Sequence, residues 1–122
     1  FNEENKFCYK AASFHTTKLI QERLGLNSEK CITCFQSRLT KNWLTPFTDS
    51  VLEELAANNH KKILVLAPAF TADNLETLIE IDDEYKELFV EAGGHTLDFV
   101  ESLNDDEEWV QAIINILGET NV

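Results

Sequence analysis

The sequence predicts an α/β fold, a three-layer α/β/α arrangement around a parallel sheet, and three observations carry that prediction. Stretches with helical apolar spacing alternate with short, almost continuously apolar runs, the pattern of parallel strands buried on both faces. The 122 residues suffice for one hydrophobic core and not for two, so residues 1–122 are expected to form a single domain. An apolar run also leads straight into the most acidic segment of the chain, as a strand leads into its crossover helix.

The elements follow in order. Residues 7–24 (FCYKAASFHTTKLIQERL) place Phe7, Ala11, Phe14, Leu19, Ile20 and Leu24 near helical spacing, and Gly25 follows as a stop signal. Residues 31–36 read as the first strand, and a polar loop runs on through Pro46. Residues 48–58 (TDSVLEELAAN) open with the Thr, Asp and Ser of a capped helix. Residues 62–67 are the second strand. After the acidic segment, Gly93 and Gly94 break the chain before a third strand at 95–100. A last helix spans 105–117 around Trp109, Ile113 and Ile114.

Residues 64–84 (LVLAPAFTADNLETLIEIDDE) hold the strongest functional signal. Asp73 is placed to cap a helix on which Glu76, Glu80, Glu84 and Glu87 recur at spacings of three and four, with Leu78, Ile81, Tyr85, Leu88 and Ala92 as the opposite, apolar face. Between residues 73 and 87 the acids are Asp73, Glu76, Glu80, Asp82, Asp83, Glu84 and Glu87, against the single base Lys86. Each like-charge pair at i,i+4 costs roughly 0.2–0.5 kcal/mol on an isolated helix, a penalty that a bound cation would relieve. The competing reading is a solvated surface, the usual fate of exposed acids.

A formal net charge of −12 argues against a general phosphate-binding surface, hence against nucleic acid as a partner, and favours a cationic one. No apolar run approaches the roughly 20 residues of a transmembrane segment, and FNEENKFCYK has no signal-peptide pattern, so the sequence reads as cytoplasmic. Methionine is absent and the first residue is Phe1, so the chain is expected to be a piece of a longer protein. The three cysteines, Cys8, Cys31 and Cys34, make no disulfide framework. On a strand, Cys31 and Cys34 would point to opposite faces and could not share a metal, so both are expected in the core.

Ligands of parallel sheets bind beyond the carboxyl ends of the strands. Two loops qualify, residues 36–46 (QSRLTKNWLTP) and 68–73. An exposed Trp43 with Arg38 and Lys41 beside it would offer an apolar platform with cationic edges, suited to a flat aromatic acid; alternatively Trp43 only folds its loop onto the domain.

Four motifs in order, FQSR…WLTP at 35–46, APAFTADNLETLIEIDDEY at 67–85, EAGG at 91–94 and SLNDD at 102–106, together resemble the C-terminal half of ferrochelatase, in its bacterial form. The likeness covers about residues 8–117 and implies a chelatase-like half domain whose complete enzyme inserts ferrous iron into protoporphyrin. It implies that Glu76 is the catalytic glutamate facing the porphyrin nitrogens, that Glu76, Glu80 and Glu84 handle metal along the helix, and that Gln36, Ser37, Arg38, Trp43 and Asn74 lie near the porphyrin. Ferrous iron and protoporphyrin are then substrates, no cofactor is required, and the other wall of the cleft comes from an N-terminal half that this sequence lacks.

Three departures qualify the resemblance. Asn74 stands where many relatives have histidine, and the glycine that commonly continues the QSR loop is missing. Ser13-Phe14-His15 looks like the family's SFHG motif, but His15 lies inside the first helix, too close to Glu22, and is expected to be a surface or helix-packing residue. Some relatives carry cysteine-bearing insertions that hold an iron–sulfur cluster; Cys8 could be the last of such a set, and no cluster is assignable here. The alternative function is a non-catalytic metal- or tetrapyrrole-binding domain of chelatase-like fold. A cobalt chelatase would be expected to use histidine, and none of His15, His60 and His95 is on the acidic helix. A plain structural α/β domain is the third possibility.

Overall fold

The computed structural model describes residues 1–36 and 42–119. Helix α1 (Tyr9–Leu24) ends at Gly25, which takes the left-handed conformation at φ 63° while the Leu26 N–H returns to the Gln21 carbonyl at 2.9 Å. Its ring-bearing side, Tyr9 and Phe14, meets Phe35 at centroid distances of 6.5 and 6.3 Å. His15 lies within α1, stacked on Phe1 at 4.8 Å, as a helix-packing histidine would.

Helix α2 (Thr48–Ala57) precedes strand β1 (Lys62–Leu66), and β2 (Thr96–Val100) pairs with β1 in parallel, from Lys62 opposite Thr96 to Leu66 opposite Val100. The crossover between them is the acidic helix, wound as a π-helix over Glu76–Tyr85 and continuing as helix α3 (Lys86–Glu91). Helix α4 (Glu107–Glu119) follows, its first turn held by the Asp106 carboxylate, which accepts from the N–H groups of Glu108 at 2.9 Å and Trp109 at 3.2 Å. The fold is therefore α/β with a parallel sheet, as expected. One core joins Leu52 and Ala56 of α2, Phe89 of α3 and Leu97 of β2, with Ile63, Val65, Tyr85 and Leu88 packed against it. No helix among the described residues is long and apolar enough to cross a membrane.

Four expectations need correction. Residues 31–36 do not form a strand; a single bridge joins Phe35 to Phe47. Pro46 accepts from the Phe35 N–H at 2.9 Å but has no N–H of its own to extend a ladder. Cys31 and Cys34 are accordingly half-buried and free. Burial nonetheless pushes the Cys34 thiol up from its ordinary pKa, against a hydrogen bond from the Thr48 hydroxyl.

The second correction concerns which residues of the acidic helix face inward. Leu78 and Ala92 are exposed, and the buried side chains are Thr77, Ile81 and Phe89. Third, the helix start is fixed by Asn74 and not Asp73. Asn74 Oδ1 accepts from the Thr77 N–H at 3.1 Å and Thr77 Oγ1 from the Asn74 N–H at 2.9 Å, a reciprocal cap. Lastly, Ile113 and Ile114 of α4 stand exposed.

Candidate functional site

Rows spaced by four organise the acidic helix. Thr77, Ile81 and Tyr85 form the row turned inward, Thr77 and Ile81 being almost wholly buried. One position earlier run Glu76, Glu80 and Glu84. One position earlier again are Leu75 and Ile79, which are 76% and 47% exposed. The carboxylates thus lie between the packed side of the helix and an uncovered apolar strip, the setting in which a large apolar partner would cover the strip and meet the acids.

The π winding sets contacts between residues five apart. Tyr85 donates its phenol hydrogen to Glu80 Oε1 at 2.9 Å. The other carboxylate oxygen, Oε2, accepts from Gln36 Nε2 at 3.1 Å, and the Gln36 carbonyl accepts the Trp43 indole N–H at 2.7 Å. Loop, glutamine, carboxylate and phenol therefore form one connected polar line. Partial burial, reinforced by the Glu80 carboxylate, pushes the Tyr85 phenol far above its ordinary range, so it remains a donor throughout the neutral and mildly alkaline range.

Glu76 and Glu84 are exposed, and neither makes a side-chain hydrogen bond or ion pair among the described residues. The three glutamates run in series; no group of three or more metal-ligating side chains converges among the described residues. Beside Glu80 opens a cleft of about 250 Å³ lined by Phe35, Gln36, Phe47, Thr48, Asp49 and Tyr85. It is smaller than the roughly 300–1,000 Å³ of typical ligand pockets, so it flanks the acidic ridge and could not itself enclose a macrocycle.

The amino end of this helix is tied to the sheet. Asp73 Oδ2 accepts from Asn104 Nδ2 at 2.8 Å, and Asp73 Oδ1 accepts from the Ser102 N–H at 3.2 Å and the Thr77 hydroxyl at 3.0 Å. The Asn104 amide oxygen accepts from the Asp73 N–H at 2.8 Å in return. This clip joins the loop after β1 to the loop after β2, and places Glu76 beyond the carboxyl ends of the strands, where ligands of such sheets bind. The Asn104 amide chiefly, with the Ser102 N–H, holds the Asp73 carboxyl below its ordinary range.

Of the residues singled out from the sequence, Gln36, Trp43 and Glu80 are brought together. Asn74 and Glu76 sit at the start of the same helix and Glu84 one turn beyond Glu80, while Ser37, Arg38 and Lys41 lie outside the described residues. Trp43 is half-buried rather than exposed, and its indole N–H anchors the loop, which gives the loop-folding alternative a geometric basis. Sequence reasoning treated Tyr85 only as an apolar contact and left Asn104 without a role. The signal for Tyr85 was its separation of five from Glu80, meaningful only on a π-helix; for Asn104 it was the SLNDD turn.

A model of the ferrochelatase family matches residues 1–121. The ferrochelatase of Ectopseudomonas mendocina (strain ymp) is 49% identical over 107 residues, 87% of this chain and 32% of that protein. That of Pseudomonas fluorescens (strain Pf0-1) is 48% identical over 110 residues, with 89% and 32% covered. The coproporphyrin III ferrochelatase of Lactococcus lactis subsp. cremoris (strain SK11) is 40% identical over 120 residues, 98% of this chain and 38% of that protein. The chain thus spans about a third of the length of these relatives.

Proposed function

Because the chain belongs to the ferrochelatase family, we propose that its 122 residues form one wall of the active site of a longer polypeptide that inserts ferrous iron into protoporphyrin IX in haem biosynthesis. The observation that supports this most is the alternation of rows on the acidic helix. Glu76 is a carboxylate without a side-chain partner among the described residues, flanked by the exposed Leu75 and Ile79 at the open end of the sheet. A flat apolar macrocycle laid on Leu75 and Ile79 would bring its central nitrogens toward Glu76.

The reaction exchanges one ferrous ion for the two pyrrole protons of the macrocycle. Lone pairs on the nitrogens must first be exposed by bending the ring, and the protons then need an acceptor. In this reading Glu76 takes them in turn, a general base within reach of the nitrogens that passes the first proton on toward solvent before it accepts the second. Glu80 and Glu84 offer oxygen donors along the route between Glu76 and solvent, and pass iron inward or protons outward. Oxygen ligands suit a labile divalent ion that must be released again. Asn74 acts through the cap it makes, setting where Glu76 begins the helix. Gln36 and Trp43 form the porphyrin-side rim, Ser37 and Arg38 are assigned to porphyrin binding from the family resemblance alone, and Trp43 also steadies Gln36 through its carbonyl.

Iron is a substrate here and no resident cofactor is assigned. Free cysteines fit a reducing, cytoplasmic setting. On its own the segment supplies a single wall and is inactive. The test is anaerobic metalation by the intact polypeptide, with the 122-residue segment assayed beside it. Protoporphyrin IX and, because the Lactococcus lactis relative is named for it, coproporphyrin III are both offered. Turnover of protoporphyrin by the intact protein alone is the expected result. Preference for coproporphyrin would overturn the substrate assignment, turnover by the segment would overturn the single-wall reading, and metalation of neither porphyrin by the intact protein would remove the function.

A further inference from the structure

The glutamates of the ridge are not equivalent. Among the described residues Glu76 and Glu84 make no side-chain hydrogen bond or ion pair, whereas both oxygens of Glu80 receive hydrogen bonds, from Tyr85 Oη at 2.9 Å and Gln36 Nε2 at 3.1 Å. A carboxylate has about four lone-pair sites, so two remain for an ion once both donors are in place. The donors come from different elements and grip different oxygens, which fixes the carboxylate against rotation. We propose that Tyr85 is a positioning residue for iron transit, holding Glu80 so that its remaining lone pairs face the ridge between Glu76 and Glu84. This deepens the preceding assignment and rests on it.

The π winding is what makes the contact available. Tyr85 lies in the inward row beside the core, where Leu88 and Phe89 follow it, and it reaches Glu80 because residues five apart come together. Its ring is anchored by packing, so its hydroxyl is a rigid donor. Gln36 is steadied separately, through the Trp43 indole on its carbonyl. A ferrous ion moving along the ridge therefore meets one oriented carboxylate between two that accept no side-chain hydrogen bond among the described residues. Removing an outer hydrogen-bond partner of a metal-binding carboxylate typically lowers metal affinity or activity by 10- to 100-fold. Because Gln36 still holds one oxygen, the lower end of that range applies.

The experiment uses the intact polypeptide and compares Tyr85→Phe, Glu80→Gln and the double variant. Phenylalanine keeps the ring and its packing, and unfolding curves verify that. Tyr85→Phe should raise the iron concentration for half-maximal rate about tenfold, with the porphyrin half-saturation and the rate at saturating iron nearly unchanged. Glu80→Gln should raise the iron requirement as well. The double variant should be no worse than Glu80→Gln, because the phenol acts only through that carboxylate. An unchanged iron requirement in Tyr85→Phe beside a raised one in Glu80→Gln would overturn the role of Tyr85 and leave the ridge assignment standing. Additive effects in the double variant, or a lowered melting temperature with iron dependence intact, would also overturn it by showing a purely structural phenol. If Glu80→Gln itself leaves the iron requirement unaltered, the transit reading fails and the Tyr85 proposal with it.

Discussion

Asp73 shows how one side chain couples the fold to the site. Its carboxylate accepts from Asn104, Ser102 and Thr77, and those donors hold its pKa below the ordinary value of 3.8. A carboxyl depressed in the folded state adds stability above its unfolded pKa and loses it as pH falls through the folded value. The clip should therefore hold at neutral pH and weaken progressively below pH 3.8. Asp73→Asn is expected to melt at a lower temperature than the wild type at pH 7, with the two melting curves converging as the pH is lowered through that window. Thermal unfolding followed by circular dichroism at stepped pH checks this; a constant gap down to the most acid point would show that the charge is not what the clip uses. The sequence made Asp73 conspicuous and misassigned its partner, because Asp73 and Asn74 are both good caps and only the loop after β2 decides between them. That loop is about thirty residues away in sequence, beyond the reach of local pattern.

At the scale of elements, the acidic helix was legible as a helix and as a carboxylate ridge, because rows spaced by four persist in either winding. Its π character was not, and with it went the identity of the inward row: Thr77 replaces Leu78 as the buried position. The strand expected at 31–36 failed for a different reason. Its apolar content predicted burial, and Phe35 is buried, but a ladder needs successive donors on the neighbour and Pro46 interrupts them. The EAGG turn was read correctly as a break and has a further cause. A Cβ at Gly94 would lie 2.5 Å from Cδ1 and Cζ of Phe89, a ring at the centre of the core, so only glycine fits where the helix returns to β2. Gly94→Ala should cost about 1–3 kcal/mol through overpacking. Gly118, in α4, meets nothing within 4 Å, and Gly118→Ala should stabilise by up to about 1 kcal/mol through helix propensity. Denaturant unfolding of the pair measures both; equal effects would remove the Phe89 explanation.

For the whole molecule, alternation of helix and apolar strand predicted the parallel α/β plan, and the structure bears it out with β1 and β2 in register around a crossover helix. What the sequence could not show is how the sheet is finished. Its inward residues Ile63, Val65 and Leu97 join the core, while Leu64, Leu66 and Val100 on the other side are 62%, 44% and 41% exposed. Burial of that side depends on surroundings no local pattern encodes. The plan nevertheless delivers the acidic helix to the carboxyl ends of both strands, the position on which the functional reading depends.

That reading stands or falls on a division of labour along one helix: Glu76 at the macrocycle, Glu84 two turns on along the same row. The direct measurement is the iron and porphyrin dependence of haem formation by Glu76→Gln and Glu84→Gln in the intact polypeptide. Both changes remove one charge at nearly constant volume, so folding should be little affected. Glu76→Gln should lower the rate by about 10²–10⁴-fold at saturating iron, the usual contribution of a general base. Glu84→Gln should keep most of its maximal rate and need more iron to reach it. Equal losses in the two variants, with unaltered iron dependence, would contradict the assignment of separate roles to these carboxylates.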